Sequence, residues 1–182
     1  MRKNSHRACI FVIILGMLAL SELAAREDSF AIGAQVGFTT TGVVADIGLG
    51  ELYIQAGINY PMGITYIAAQ TESEEKFFDI VTLNADICQA FALSDSFDLK
   101  VGVGTTAFTN FGPVVAGLAG PVLKGEYWIP EKHYGLFLTL NMPLIAYGFI
   151  EDDENFDGGI FYHPLLPLAG LLTSTVGVLY SF

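Results

Sequence analysis

Basic residues are scarce in this sequence. Its 182 residues include eight Lys and Arg against 19 Asp and Glu, which gives a formal net charge of −11. Nucleic-acid binding depends on clustered Lys and Arg side chains that neutralise phosphates. The composition therefore argues against nucleic acid as a partner.

Cysteine and histidine are also rare. Outside the first 25 residues the only cysteine is Cys88, so residues 26–182 cannot form an internal disulfide. We interpret Cys88 as a small packing residue. His133 and His163 fall in segments predicted at opposite ends of the fold, so they cannot share a site. Ser73 is the one candidate nucleophile for His163, and nothing in the sequence orients it. We predict no enzymatic activity.

The sequence contains no apolar run long enough for a membrane-spanning helix at its start. The apolar stretch 8–20 has 13 residues, short of the roughly 18 to 20 that a spanning helix needs. It follows Arg2, Lys3 and Arg7 and leads into small residues, which is the pattern of a cleaved signal peptide. We predict a signal peptide at 1–25 and one domain at 26–182. Cleavage after Ser21 and after Ala25 both fit.

Alternating apolar and polar residues fill the rest of the chain. Period-two segments of about ten residues, separated by turn residues, are the sequence form of a transmembrane β-barrel. Eight such segments occur, and they cover 30–38, 43–49, 52–60, 81–93, 97–104, 122–129, 134–142 and 175–182. We predict an all-β fold, an antiparallel up-and-down barrel of eight transmembrane strands after the cleaved signal peptide.

The connections between these segments alternate in length. Short turns are expected at 50–51, 94–96 and 130–133, and longer loops at 61–76, 107–121 and 145–167, with a brief one at 39–42. Single-chain outer-membrane barrels have short periplasmic turns and longer outer loops. We therefore expect both termini in the periplasm and most acidic residues outside.

The last eight residues carry the most specific pattern. They read Thr-Val-Gly-Val-Leu-Tyr-Ser-Phe, with Gly177, Tyr180 and Phe182 at its key positions. This segment resembles the C-terminal signature of bacterial outer-membrane β-barrels. The resemblance implies location in the cell outer membrane, with the membrane lipid and the outer-membrane assembly machinery as partners.

Several charged residues occupy strand positions whose side chains should face the barrel interior. An eight-stranded barrel is just wide enough to be filled by side chains, and buried charges persist only when they are paired. We expect Lys100 and Lys124 to bridge acidic partners across the lumen and a continuous water pore to be absent. The predicted lumen charge network is Asp46, Asp86, Asp98, Lys100, Lys124 and Glu126.

Two candidate binding features lie in the outer loops. Asp153, Asn155 and Asp157 match the opening of a calcium-binding loop, but Pro164 stands where the usual twelfth-position Glu belongs. A solvated acidic loop without a cofactor is the other interpretation, and it fits the incomplete motif better. Phe108, Phe111, Phe149 and Phe161 predict an apolar outer mouth, the form that a small-ligand site takes.

The whole pattern is similar to the OmpW, OmpX and OmpA-barrel families. The OmpW-like group, which that resemblance associates with the passage of small hydrophobic molecules, best suits the apolar outer loops. We expect a porin-like transport role for a hydrophobic solute that enters at the outer mouth and leaves laterally or through the lumen. The alternative is a non-transport cell-surface protein, acting through acidic loops or as a membrane-structural barrel.

A helical inner-membrane protein is the structural alternative. Residues 160–180 are strongly apolar, but Pro164, Pro167, Gly170 and Gly177 interrupt them. Charges also recur at fixed parity within the strands, which a helix facing lipid would not tolerate. The barrel is therefore favoured.

Overall fold

The computed structural model describes residues 30–70, 80–112, 114–152 and 155–182. The predicted signal peptide at 1–25 lies outside them. The strands are β1 (Phe30–Gly37), β2 (Thr41–Leu49), β3 (Leu52–Tyr60), β4 (Val81–Ser94), β5 (Phe97–Thr109), β6 (Val114–Trp128), β7 (Tyr134–Asn141), β8 (Ile145–Asp152), β9 (Asn155–Tyr162) and β10 (Thr175–Ser181). Two short helices are α1 (Met62–Gln70) and α2 (Leu166–Thr173).

Eight of the strands close into an antiparallel barrel, as predicted. Strands β1 to β7 pair in chain order, and β10 pairs with both β7 and β1 to close the wall. Closure gives every one of these strands two hydrogen-bonded neighbours and removes the edges of the sheet. None of the described helices is long and apolar enough to cross a membrane.

We name the two ends of the barrel by what lies there. The terminal end holds the start of β1, the end of β10 and the tight turns 50–51, 95–96 and 129–133. Gly50 has φ +68, a conformation that glycine adopts without steric cost. The loop end holds the longer connections and both helices.

The loop end is more ordered than the loop predictions for 61–76, 107–121 and 145–167 imply, so those predictions were wrong in part. The first segment contains α1. In the second, β5 and β6 extend until only 110–113 separates them, and the third forms β8, β9 and the start of α2. The sequence does not reveal these strand extensions, because Thr105, Ala107 and Gly117 occupy positions at which a large apolar residue would continue the alternation of apolar and polar side chains.

Strand β6 changes partner halfway along its length. Val114 to Ala119 pair with β8, and Val122 to Trp128 pair with β7. Across the break, the Met142 amide donates to the Pro121 carbonyl at 2.9 Å and the Leu144 amide to the Ala119 carbonyl at 2.9 Å. Strands β7 and β8 thus follow one another along β6, and the β8–β9 hairpin extends the wall beyond the loop end.

The polarity of the barrel is inverted relative to a water-soluble protein. Among the described residues, polar and charged side chains outnumber apolar ones in the buried set, while large apolar side chains cover the outside. Val43, Ile58 and Val103 are 60%, 61% and 61% exposed, whereas Lys100 and Lys124 are each 2% exposed. Exposed apolar surface on this scale marks an interaction with another apolar phase.

Candidate functional site

Four charged side chains form a ring across the barrel interior. We call Asp46, Lys100, Lys124 and Glu126 the charge ring. Lys100 Nζ lies 2.8 Å from Asp46 Oδ2 and 2.8 Å from Glu126 Oε1. Lys124 Nζ lies 3.0 Å from Asp46 Oδ2 and 2.7 Å from Glu126 Oε1. Each ammonium therefore bridges both carboxylates, and all four side chains are at most 4% exposed.

The strand register explains why the ring needs all four members. Lys100 lies directly opposite Lys124, and Asp98 lies directly opposite Glu126. Like charges at directly opposed positions destabilise a sheet. Asp46, which reaches in from β2, and Glu126 place negative charge between the two ammonium groups. The ring thereby turns the repulsive Lys100–Lys124 pair into part of a neutral cluster.

Aromatic side chains enclose the ring. The Lys100 ammonium lies 3.6 Å from the centroid of the Tyr53 ring, and that of Lys124 lies 4.8 Å from the Phe137 centroid. The Trp128 Nε1–H group donates to Glu126 Oε2 at 3.3 Å. Trp128 and Phe137 also belong to a buried apolar cluster with Ala31, Val44 and Leu179. These side chains fill the interior around the ring.

Amide side chains fill part of the interior nearer the loop end. Gln35 Nε2 donates to Asn59 Oδ1 and to Asn84 Oδ1, both at 2.9 Å. Asn59 Nδ2 donates to Asn84 Oδ1 at 2.7 Å, and the Thr175 hydroxyl donates to Gln35 Oε1 at 3.3 Å. This network joins strands β1, β3, β4 and β10 across the lumen.

A small cavity lies beside this network. It measures about 10 Å³, which is room for about one water molecule. We call it the polar chamber, because every side chain that lines it is polar: Gln35, Thr40, Gln55, Asn84, Asp86, Thr139, Asn141, Thr173 and Thr175. No ion pair within 4.0 Å joins Asp86 to another described residue, unlike the members of the charge ring.

Helix α2 closes the wall next to the polar chamber. The carbonyl of Leu172 accepts hydrogen bonds from the Thr39 amide at 3.2 Å and from the Thr39 hydroxyl at 2.8 Å. Asn141 Nδ2 donates to the Thr173 carbonyl at 2.6 Å. These bonds satisfy carbonyls that the end of a helix leaves without intrahelical partners. At α2 the wall is therefore held by a few hydrogen bonds from β7 and the β1–β2 turn, and not by a continuous ladder between strands.

The predicted lumen charge network is brought together unevenly. Asp46, Lys100, Lys124 and Glu126 meet in the ring, while Asp98 adjoins it through its register with Glu126. Asp86 instead lines the polar chamber. Cys88 is 4% exposed and lies on the inner face, opposite Tyr53 and Gly102.

The four phenylalanines of the predicted apolar mouth do not converge. Register and strand alternation put Phe108 and Phe161 on the inner face of the wall, in line with the buried Thr82 and Thr106. Phe149 lies near Tyr147, with ring centroids 5.9 Å apart, and has the opposite parity. Phe111, at the tip of the β5–β6 turn, is 74% exposed and has φ 56.

The residues of the C-terminal signature lie on the strand that closes the barrel and just after it. Gly177 and Tyr180 are on β10, opposite Gln35 and Ile32 of β1. The Phe182 ring stacks on Phe30 at 5.7 Å and meets Tyr180 edge-on at 5.2 Å. Tyr180 also meets Tyr134 at 5.2 Å. Aromatic contacts therefore link the start of β1, the end of β10 and the start of β7 at the terminal end.

The calcium-type motif falls mostly outside the described residues. Asp153 is not among them, and neither are the side chains of Asn155 and Asp157. The backbone of 155–157 is part of β9, where Asn155 pairs with Asp152 and Asp157 with Ile150. The described residues contain no group of three His, Cys, Asp or Glu side chains able to hold a metal ion.

Sequence reasoning missed the polar chamber and helix α2. The chamber depends on neutral residues such as Gln55 and Thr139. The alternation along the strands predicts that they face inward, but they belong to no recognisable motif. Pro167 inside the first turn is a helix-start signal that could have revealed α2.

Comparison with known proteins adds no relative. No protein-family model matches the chain, and the searches of curated proteins and of solved structures found no significant match.

Proposed function

We propose that this protein is an integral outer-membrane β-barrel, with its terminal end in the periplasm and its loop end outside. The inverted polarity carries this proposal. An exposed band that includes Val43, Ile58 and Val103 would cost about 25 cal/mol for each Å² kept in water. Hydrocarbon removes that cost, and the closed wall satisfies the backbone groups that lipid cannot.

The aromatic residues support insertion of the barrel in a membrane. Phe30, Phe97, Tyr127, Tyr134 and Tyr180 are all at least 36% exposed at the terminal end, where a girdle at the membrane interface is expected. A tilted strand rises about 2.5 Å per residue, so a band of about 25 Å covers about ten residues. This estimate puts α2 in the outer leaflet and the β8–β9 hairpin beyond it.

Single cysteines test the membrane topology. Ile160 is 70% exposed on β9, and Asp95 lies in a terminal-end turn. In a Cys88→Ala background on intact bacteria, a membrane-impermeant maleimide should label Ile160→Cys and leave Asp95→Cys unlabelled. After the outer membrane is opened, both should react. Labelling of Asp95→Cys alone on intact cells, or recovery of the chain in the soluble fraction, would refute the proposal.

We further propose that the barrel passes small hydrophobic solutes, as in the OmpW-like group, by a lateral route. The charge ring and its aromatic neighbours fill the lumen below, so a solute from the loop end meets a closed floor. At α2, by contrast, the wall is held by the bonds of Thr39 and Asn141 to the ends of the helix. Leu168 and Leu171 expose 64% and 73% of their surface on this helix, a face suited to hydrocarbon.

A disulfide across this part of the wall tests the route. In a Cys88→Ala background, Thr39→Cys with Leu172→Cys places two thiols where the backbones already lie within hydrogen-bonding distance. We expect the oxidised variant to lose uptake of an apolar fluorescent probe into liposomes and to regain it after reduction. Each single-cysteine variant serves as a control and should respond to neither treatment.

The alternative is a surface or membrane-structural role without transport. The sealed lumen is the observation that favours it. If liposomes with and without the wild-type protein take up the apolar probe at the same rate, the transport proposal is wrong and this role remains. The topology experiment is independent of that result, since either function needs the same membrane orientation.

A further inference from the structure

We propose that the polar chamber binds one dehydrated monovalent cation of the size of sodium, with the carboxylate of Asp86 as its charged ligand. The first observation is the isolation of this carboxylate. Asp86 is 5% exposed, and no described ammonium group lies within 4.0 Å of it. Burial of a charge without a partner is strongly unfavourable, so the ionised form of Asp86 needs a compensating cation.

The charge ring cannot supply that compensation. Lys124 acts on Asp86 electrostatically, but its ammonium already lies 3.0 Å from Asp46 Oδ2 and 2.7 Å from Glu126 Oε1. The ring is neutral by itself, with two ammonium groups and two carboxylates. The ionised Asp86 side chain therefore adds one uncompensated negative charge beside the polar chamber.

Other side chains around the chamber also have unused polar atoms. The hydroxyls of Thr40 and Thr139 are buried without a hydrogen-bond partner, and these residues are 1% and 3% exposed. Gln55 lies directly opposite Asp86 in the β3–β4 register. A buried polar atom without a partner in a native fold points to a bound water or ion.

Glycine makes the room for this site. Gly104 lies opposite Asp86 on β5, and Gly120 lies opposite Gly104 on β6. A Cβ atom built on Gly104 would fall 2.1 Å from Asp86 Oδ1, so any larger residue there would displace the carboxylate. Gly104 therefore leaves the room that the Asp86 carboxylate occupies beside the polar chamber.

The chemistry of the lining selects the kind of ion. Carboxylate, amide and hydroxyl oxygens suit hard cations, and the chamber has no sulfur or imidazole ligand. Calcium takes six to eight oxygens, and magnesium keeps several of its waters. One carboxylate supplies too little negative charge for a divalent ion, and a chamber of about 10 Å³ has no room for the waters that magnesium keeps. One dehydrated monovalent cation matches both.

The test compares sodium with a bulky organic cation. The purified protein in detergent is unfolded in sodium chloride and in choline chloride of equal ionic strength, with the folded fraction read from electrophoretic mobility. A ligand that binds only the folded state raises the ratio of folded to unfolded protein in proportion to its concentration above Kd. We expect a tenfold rise in that ratio for each tenfold rise in sodium, and no such rise in choline.

Two variants and one control tie the effect to the site. Asp86→Asn should abolish the sodium dependence, and Thr139→Val, which keeps the carboxylate, should shift it to higher sodium concentrations. Asp95→Asn removes the same charge from an exposed turn and should leave the dependence unchanged. If Asp86→Asn does not fold, Thr139→Val decides. Equal stability of the wild type in both salts would mean that the chamber holds only water and would overturn the proposal, as would a sodium effect unchanged in Thr139→Val.

Discussion

At the scale of single residues, the charge ring makes the interior stable only as a set. Replacing a buried ion pair as a whole can be neutral, whereas removing one partner strands the other charge. Asp46 Oδ2 contacts both Lys100 and Lys124, at 2.8 and 3.0 Å. Loss of this carboxylate therefore leaves one ammonium charge of the ring uncompensated.

We predict that Asp46→Asn lowers the free energy of unfolding by about 3–5 kcal/mol. The sole tryptophan, Trp128, is bonded to Glu126 of the ring, so its fluorescence reports urea unfolding of the barrel in lipid vesicles. Asp95→Asn, in an exposed turn, should unfold like the wild type. Adding Lys124→Met to Asp46→Asn should recover part of the loss, because it removes the surplus ammonium. Matching unfolding curves for Asp46→Asn and Asp95→Asn would contradict the prediction.

A smaller effect is expected at the chain end. Phe182→Ala removes the ring that stacks on Phe30 and meets Tyr180. Aromatic pairs contribute roughly 0.5–1.5 kcal/mol each beyond the area they bury, so we expect a loss of about 1–3 kcal/mol in the same unfolding measurement. Tyr162→Ala removes an exposed ring from β9 and is the matched control. The prediction fails if the two variants lose equal stability.

At the scale of elements, the strands that alternate in polarity were predictable and the others were not. Segments 30–38, 52–60 and 134–142 coincide with β1, β3 and β7 within one residue, because large apolar side chains alternate there with polar or small ones. The β8–β9 hairpin lacked that contrast, since Gly148, Gly158 and Gly159 interrupt it. The alternation along the strands also predicted which charged side chains face inward. Which of them are in contact depends on the register between strands, and this the sequence does not reveal.

Helix α2 depends on a close backbone approach to β7. A Cβ atom on Gly170 would fall 1.8 Å from the Asn141 carbonyl oxygen, so the helix sits on the strand with no room for a side chain. The Gly170 carbonyl also accepts hydrogen bonds from the Ser174 amide at 2.9 Å and the Ser174 hydroxyl at 2.7 Å. The position of α2 therefore depends on this one glycine more than on its exposed leucines.

We predict that Gly170→Ala moves α2 away from β7 and destabilises the barrel by about 1–3 kcal/mol, the usual cost of overpacking. The hydrogen bond from Asn141 Nδ2 to the Thr173 carbonyl should weaken with it, so backbone amides near 170–174 should exchange faster with deuterium. Leu171→Ala, on the exposed face of the helix, should change neither quantity. Unaltered exchange in Gly170→Ala would show that the helix does not need this contact.

At the scale of the whole molecule, the filled interior sets what the barrel can conduct. The side chains of the charge ring are at most 4% exposed, and the adjoining polar chamber measures only about 10 Å³. With the interior filled in this way, we expect no continuous path for water and ions. Binding of a cation in the chamber, as proposed above, does not require conduction.

We predict that planar bilayers containing the wild-type protein carry no steady ionic current. A variant with Lys100, Lys124, Asp46 and Glu126 all replaced by alanine removes the ring while keeping its net charge of zero, and it should conduct if it folds. Its folded state is checked by circular dichroism and by electrophoretic mobility before the current is recorded. A steady current through the wild type would contradict the closed lumen.

The pairing of β1 with β10 has a consequence for biosynthesis. Its register joins Ala31 to Ser181 and Gly37 to Thr175, residues that are separated by most of the chain, and contacts of such long sequence separation make folding slow. In a nascent chain that has not yet reached residue 175, the first strand can pair with β2 but lacks β10, its second partner. The wall cannot close around the buried lysines before residues 175–181 have been made. Whatever escorts this polypeptide must therefore keep the barrel open until β10 is available.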